Sequence, residues 1–143
     1  MRRVYKNFIT KKEADAQTES INKKFLIKST NNDLVDKIVE KLKEDFDFKI
    51  KDQSYWRIEH QSSGHQWHKD TGSGGGMMWC QVGVSLLLKE GTSGGDTFYG
   101  DDINGSNAEK SDRKLYDLVA HTSDEWHMVT PHEGERVVFL MFI

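Results

Sequence analysis

Residues 78–88, MWCQVGVSLLL, decide how the fold is read. As a strand, this stretch puts Val82, Val84, Leu86 and Leu88 on one face and Gln81, Gly83, Ser85 and Leu87 on the other, because side chains alternate with period two. One face is wholly apolar and needs a dry partner. The other is mixed and suits the inner wall of a small polar cavity. A partner for the apolar face stands upstream, in TNNDLVDKIVEKLKEDF (30–46). Asn31 or Asn32 can cap a helix there. Leu34, Ile38, Leu42 and Phe46, widened by Val35 and Val39, form the stripe of a helix lying on a core.

Outward from this pair, the chain changes texture near residue 48. The segments YWRIEHQ (55–61), HQWHKD (65–70), DTFYG (96–100), LYDLVAH (115–121), EWHMVT (125–130) and ERVVFLMFI (135–143) each have strand length. Turn chemistry separates them, in SSG, TGSGGG, KEGTSGG, DDINGSN, TSD and PHEG. Short strands at this spacing predict an antiparallel sandwich or barrel of seven or eight strands. RVYKNFI (3–9) reads as a further short strand, and TKKEADAQTESINKK (10–24) as a weaker helix. The 143 residues fit one domain with one core, and no repeat or linker divides them.

The charge balance excludes some classes of function. Net charge is -3, with +4 in residues 1–51 and -7 in the rest. This is no basic stripe, and no nucleic-acid partner is expected. The single cysteine, Cys80, permits no intrachain disulfide and suits a reducing compartment. The start MRRVYKNFIT has no apolar run behind its charges, and VVFLMFI (137–143) is too short to span a bilayer. A cytoplasmic protein with no membrane partner is the expectation.

The chemistry concentrates in HQWHKD. On a strand, His68 and Asp70 point to one side, so an imidazole and a carboxylate converge. A facially held divalent metal needs such a pair plus one more ligand. Two histidines and a carboxylate with open positions are the pattern of non-haem Fe(II) sites. His60, His65, His121, His127 and His132 are candidates for the third ligand. His65 reads as a loop residue, and His121 and His132 as solvent-exposed residues in or beside turns. If PHEG (131–134) closes a hairpin, His127 and Arg136 face the same interior. An arginine there is costly unless it meets an anion, and its fork suits a carboxylate. The glycine run 72–76 is linker-like in composition and, following a metal motif, could serve as a lid.

The ordered set WHKD (67–70), GGDTF (94–98) and WHMVTPHEGER (126–136) resembles the iron- and 2-oxoglutarate-dependent dioxygenases, in their prolyl-4-hydroxylase-like branch. NFITKKEAD (7–15) is similar to that family's entry into its first helix. The resemblance implies a mostly β double-stranded β-helix, or jelly roll, with N-terminal helices. It implies His68, Asp70 and His127 as ligands of Fe(II), and Arg136, nine positions after His127, as the holder of the distal carboxylate of 2-oxoglutarate. Dioxygen is the co-reactant and ascorbate a supporting reductant. The implied reaction is hydroxylation of an unactivated C–H bond in a small molecule or in a peptide or protein, for instance at a prolyl residue. One departure stands out. Many members carry a tyrosine-glycine strand before the H-x-D motif, and WRIEHQSSGHQWH (56–68) lacks that tyrosine. The family's second cosubstrate-binding hydroxyl falls near Leu87, so Ser85 or Gln81 would have to substitute. The competing readings are a non-catalytic metal-binding jelly-roll module, which has no need of Arg136, and a purely structural β-domain.

Overall fold

A computed structural model of the chain describes residues 1–17, 23–60, 63–71 and 76–143. In chain order the elements are β1 (Arg2–Tyr5), α1 (Lys11–Asp15), β2 (Phe25–Leu26), α2 (Asp33–Leu42), β3 (Tyr55–Glu59), β4 (His65–His68), β5 (Val82–Lys89), β6 (Ser93–Gly94), β7 (Thr97–Gly100), β8 (Glu109–Lys110), β9 (Leu118–Thr122), β10 (Trp126–Val129), β11 (His132–Glu133) and β12 (Val137–Phe142). Every expected strand is present, and four two-residue strands join them. A six-stranded sheet runs β1-β9-β5-β12-β3-β2, a four-stranded sheet runs β4-β10-β7-β8, and β11 pairs with β6. All pairings are antiparallel. The architecture is a mostly β jelly roll with N-terminal helices. Among the described residues no helix is long and apolar enough to cross a membrane.

Helix α2 starts where its cap allows. The Asn32 Oδ1 accepts from the backbone N–H groups of Leu34 and Val35 at 2.9 and 3.2 Å. Its buried stripe, Leu34, Val35, Ile38 and Leu42, joins Val82, Val84, Leu86 and Leu88 of β5 in one cluster with Phe139 and Met141 of β12. The apolar face of 78–88 has thus found the predicted partner. Of the predicted helix over 10–24, α1 covers Lys11–Asp15, closed by a capping box between Thr10 and Glu13. Residues 18–22 lie outside the described residues.

The opposite face of the six-stranded sheet looks inward. Cross-strand register aligns its side chains in rows: Gly83 with His121 and Phe142, then Ser85 with Val119 and Leu140. Leu140 and Phe142 in turn pair with Arg57 and Tyr55. The four-stranded sheet answers with Thr97 and Tyr99 of β7 opposite Val129 and His127 of β10.

The expected hairpin across PHEG does not form. β10 belongs to the four-stranded sheet and β12 to the six-stranded one, and the chain crosses between them through β11. Gly134, at φ +77°, makes the turn against Thr92. Arg136 nevertheless faces inward, because it keeps the parity of the inward-facing Val138, Leu140 and Phe142.

The rim of this layer is pinned by Asp117, which is buried. Its carboxylate accepts from the N–H groups of Asn7 and Lys114 at 2.8 and 2.9 Å and pairs with Lys6 at 3.0 Å. Burial pushes its pKa up, but these partners outweigh it and hold the group below the usual carboxylate range. Asp117→Ala is therefore expected to cost roughly 3 kcal/mol of stability near neutrality. A lowered folded-state pKa gives stability that is present above the ordinary value of about 3.9 and is lost as pH falls through the lowered value. Urea melts of both proteins should show the gap at pH 7 and its narrowing in acid. An equal gap at every pH would contradict the assignment.

Candidate metal centre

His68, Asp70 and His127 come together: one ligand atom from each lies within 4.8 Å of the others. Two strands and the turn after β4 bring them there. His68 ends β4, and His127 faces it directly across the β4–β10 ladder, with ring centroids 4.2 Å apart. Asp70 lies two residues beyond β4 and reaches across to the six-stranded sheet. Its Oδ1 stands 3.4 Å from His127 Nε2 and 3.9 Å from His68 Nε2.

Both imidazoles are oriented from behind. The Nδ1 of His68 donates to the Gln66 carbonyl at 2.6 Å, and the Nδ1 of His127 to the Glu125 carbonyl at 2.8 Å. Each bond fixes the tautomer and leaves the Nε2 lone pair pointing at the shared centre. Two imidazole nitrogens and one carboxylate oxygen thus converge in a half-buried site. Burial, with the neighbouring His127, lowers the His68 pKa. For His127 burial pulls the same way, but the contact with Asp70 outweighs it and raises the pKa. Burial alone would raise Asp70, yet the hydrogen bond from His121 and the nearby His127 hold its carboxyl well below the ordinary range. The donor set, its tautomers and the ionised acid all fit a divalent first-row metal.

His121 occupies a position the sequence did not suggest. It was expected in a solvated turn but is buried on β9, facing inward. Strand β9 runs one residue past LVAH, so His121 keeps the inward parity of Val119. Its Nε2 donates to Asp70 Oδ2 at 2.6 Å, and the buried Tyr99 hydroxyl donates to its Nδ1 at 2.8 Å. One Asp70 oxygen is therefore tied to His121, while the other stays with the histidine pair. Gly83 makes this approach feasible: a Cβ there would overlap Asp70 Oδ2 and lie 2.5 Å from His121 Nε2. An isolated glycine within a strand pattern was the available signal.

The remaining candidates divide. His65 is on β4 and not in a loop, because a bulge lets it face inward together with His68, three residues away. Its Nε2 bonds Glu59 Oε1 at 2.7 Å and its ring lies 5.9 Å from that of His68, so it stays outside the cluster. His132, expected to be exposed, is buried on β11. His60 follows β3, with a buried Nε2 that has no partner among the described residues. Ser85 lies on the wall of the cavity of about 240 Å³ that holds the cluster, in company with Thr97, Tyr99 and Arg57. Gln81 does not join it. It precedes β5, and its amide exchanges hydrogen bonds with the backbone of Lys49, at 3.2 and 2.8 Å. The strand begins too late to aim this side chain inward. Within the run 72–76, residues 72–75 lie outside the described residues.

Arg136 is buried, with its side chain folded over Gly95, where any Cβ would collide with it. It lines a second, larger cavity of about 980 Å³ that meets the first at Thr97. Among the described residues it has no ion-pair partner.

No protein-family model matches the chain, and no curated protein matches its sequence. Solved structures match by shape. A prolyl-4-hydroxylase from Pseudomonas putida aligns with a TM-score of 0.69 at 14% identity, covering 99% of this chain and 83% of that one. The viral collagen prolyl hydroxylase of Paramecium Bursaria Chlorella virus-1, solved with 2-oxoglutarate, gives 0.66 at 13% identity and covers 99% and 93%. A Trichoplax adhaerens prolyl hydroxylase, in complex with a peptide fragment of the hypoxia inducible factor oxygen degradation domain, gives 0.64 at 14%, covering 99% and 82%. The chain has the fold of the 2-oxoglutarate–Fe(II) oxygenases. Within that class, prolyl hydroxylases align with nearly its whole length.

Proposed function

We propose that this chain, as one domain over residues 1–143, is an Fe(II)- and 2-oxoglutarate-dependent dioxygenase that hydroxylates an unactivated C–H bond, with a prolyl residue of a peptide or protein as substrate. The observation that carries this reading is the convergence of two tautomer-fixed imidazoles and one carboxylate oxygen in a fold shared with such oxygenases.

In this reading His68, Asp70 and His127 would hold the iron. Iron supplies the redox chemistry that couples loss of CO2 from 2-oxoglutarate to reduction of O2. One oxygen atom goes to succinate and the other to the substrate hydroxyl. The chain itself supplies geometry. Asp70 stays ionised against His121, and the two Nδ1 hydrogen bonds keep both Nε2 atoms available. Val119, Leu140 and Phe142 keep much of the cavity wall apolar. Arg136 contributes a guanidinium at the inner end for the distal carboxylate of the cosubstrate.

The test is succinate release from purified protein given Fe(II), ascorbate, 2-oxoglutarate and air, with proline-containing peptides screened by mass for the gain of one oxygen atom. No succinate above a protein-free control in iron-loaded protein would overturn the activity. Arg136→Ala should retain iron while 2-oxoglutarate affinity falls roughly tenfold, the effect of losing one charge-assisted contact. Unchanged affinity by titration calorimetry would remove Arg136 from the site.

A further inference from the structure

Two lysines stand at the metal end of the cavity with no acid to meet them. Register locates that end. Phe142 pairs with both Gly83 and Tyr55, so Tyr55 lies in the row where Asp70 reaches the six-stranded sheet. Tyr55 is on the cavity wall, and Lys24, just before β2, holds its Nζ 4.7 Å from the centre of that ring. On the other sheet, Lys69 follows β4 directly, between the ligands His68 and Asp70. It too lines the cavity, and its Nζ stands 5.4 Å from the centre of the Trp126 ring. An aromatic face thus keeps each ammonium beside the opening, where a loose lysine would sweep through solvent.

The acids nearby are already engaged. Asp70 belongs to the cluster and to His121. Glu59 is buried, 2.6 Å from Arg57 Nη2 and 2.7 Å from His65 Nε2. Asp124 accepts from the Thr122 hydroxyl at 2.6 Å, and Lys69 acts on it only as a lesser neighbour. Neither lysine has an ion-pair partner among the described residues. Residues 52–143 carry a net charge of -7, so free ammonium groups at this mouth run against the surrounding excess of acid.

The size of the cavity narrows what can bind. A space of about 240 Å³ admits a single side chain, not a folded segment. The chain on either side of a target residue must therefore lie across the mouth. At about 3.3 Å per residue of extended backbone, its near neighbours pass both ammonium groups. Resting on the function proposed above, we infer that the substrate is an acidic peptide or protein segment, with Asp or Glu flanking the residue to be hydroxylated, and that Lys24 and Lys69 are its specificity contacts. Single-stranded nucleic acid is the poorer fit. Two lysines neutralise little of a phosphate chain, and the acidic remainder of the domain repels it.

The experiment uses short fluorescent peptides centred on one proline, with glutamate, glutamine or lysine on both sides of it. Each is titrated by anisotropy against protein loaded with Mn(II) and 2-oxoglutarate. The glutamate peptide should bind roughly tenfold tighter than the glutamine peptide, the gain from two exposed ion pairs, and the lysine peptide should bind most weakly. Added salt should close the gap. Lys24→Glu alone, which touches no metal ligand, should already narrow it. Lys24→Glu combined with Lys69→Glu should reverse the order of the peptides, a result that lost packing cannot give. Equal affinity for the three peptides in wild type, an unchanged order in the charge-reversed protein, or tighter binding of single-stranded oligothymidine overturns the acidic-peptide inference and leaves the oxygenase reading standing. Wild type that binds neither Mn(II) nor 2-oxoglutarate overturns the function on which the inference rests.

Discussion

Asp70→Ala will yield a folded protein that no longer retains iron through dialysis and releases no succinate from 2-oxoglutarate. Asp70 is the only carboxylate in the cluster and the residue that spans the two sheets. Its loss removes the anionic ligand and frees His121 Nε2 from its acceptor. Two imidazoles alone hold a divalent ion weakly, and one coordination position passes to water. The core over α2 lies on the other side of the six-stranded sheet, so the circular dichroism spectrum should stay that of wild type. Asp70→Asn separates two contributions. Its amide oxygen can still accept from His121, but it carries no charge, so iron should be lost while the melting temperature changes little. Metal analysis by mass spectrometry and chromatography of succinate read both outcomes. Wild-type iron content in either variant would remove Asp70 from the ligand set.

Gly83→Ala will damage the same centre without replacing a ligand. The added methyl falls on Asp70 Oδ2 and within 2.5 Å of His121 Nε2, in an interior closed by Tyr99 and His127. Asp70 must swing away, or β5 must shift against β9 and β12. Overpacking of this kind costs about 1–3 kcal/mol. Displacing a group that orients a metal ligand lowers metal affinity by about 10–100-fold. Leu86→Ala, on the same strand but facing α2, serves as the comparison: it should lose stability while leaving metal affinity intact. Fluorescence titration with Co(II) or Mn(II), paired with thermal melts, distinguishes the two variants. Equal metal affinity in Gly83→Ala and wild type would show that this close approach has no bearing on the centre.

Much of this arrangement was legible in the sequence because it depends on local periodicity. The alternation in QVGVSLLL separates an α2-facing side from a cavity-facing side, and the structure keeps that division along β5, though not at Gln81, which precedes the strand. His68, Asp70 and His127 meet because each sits at or just beyond a strand end with inward parity. Other features depended on pairings that sequence does not carry. PHEG has the composition of a hairpin turn, but strand partners in a jelly roll are distant in sequence, and β10 and β12 go to different sheets. His121 and His132 sit beside turn signals, and only the pairing of β9 with β5 and of β11 with β6 buries them. His65 faces inward through a bulge, which breaks the period-two rule. Arg113 sits in SDRKLYD, a segment with nothing to mark it; its long side chain carries the guanidinium inward to the Ser85 and Thr97 hydroxyls.

The bulge in β4 has a consequence for engineering. It is the joint that keeps His65 and His68 on one side, so the spacing of HQWH is as constrained as its composition. Straightening the ladder at this residue count would swing one imidazole to the outside, and deleting Gln66 or Trp67 would keep both on one face only by removing the bulge. Adding a residue would push Asp70 past its partner on β9. Grafting experiments that treat this strand as an interchangeable segment should therefore preserve its residue count before its chemistry.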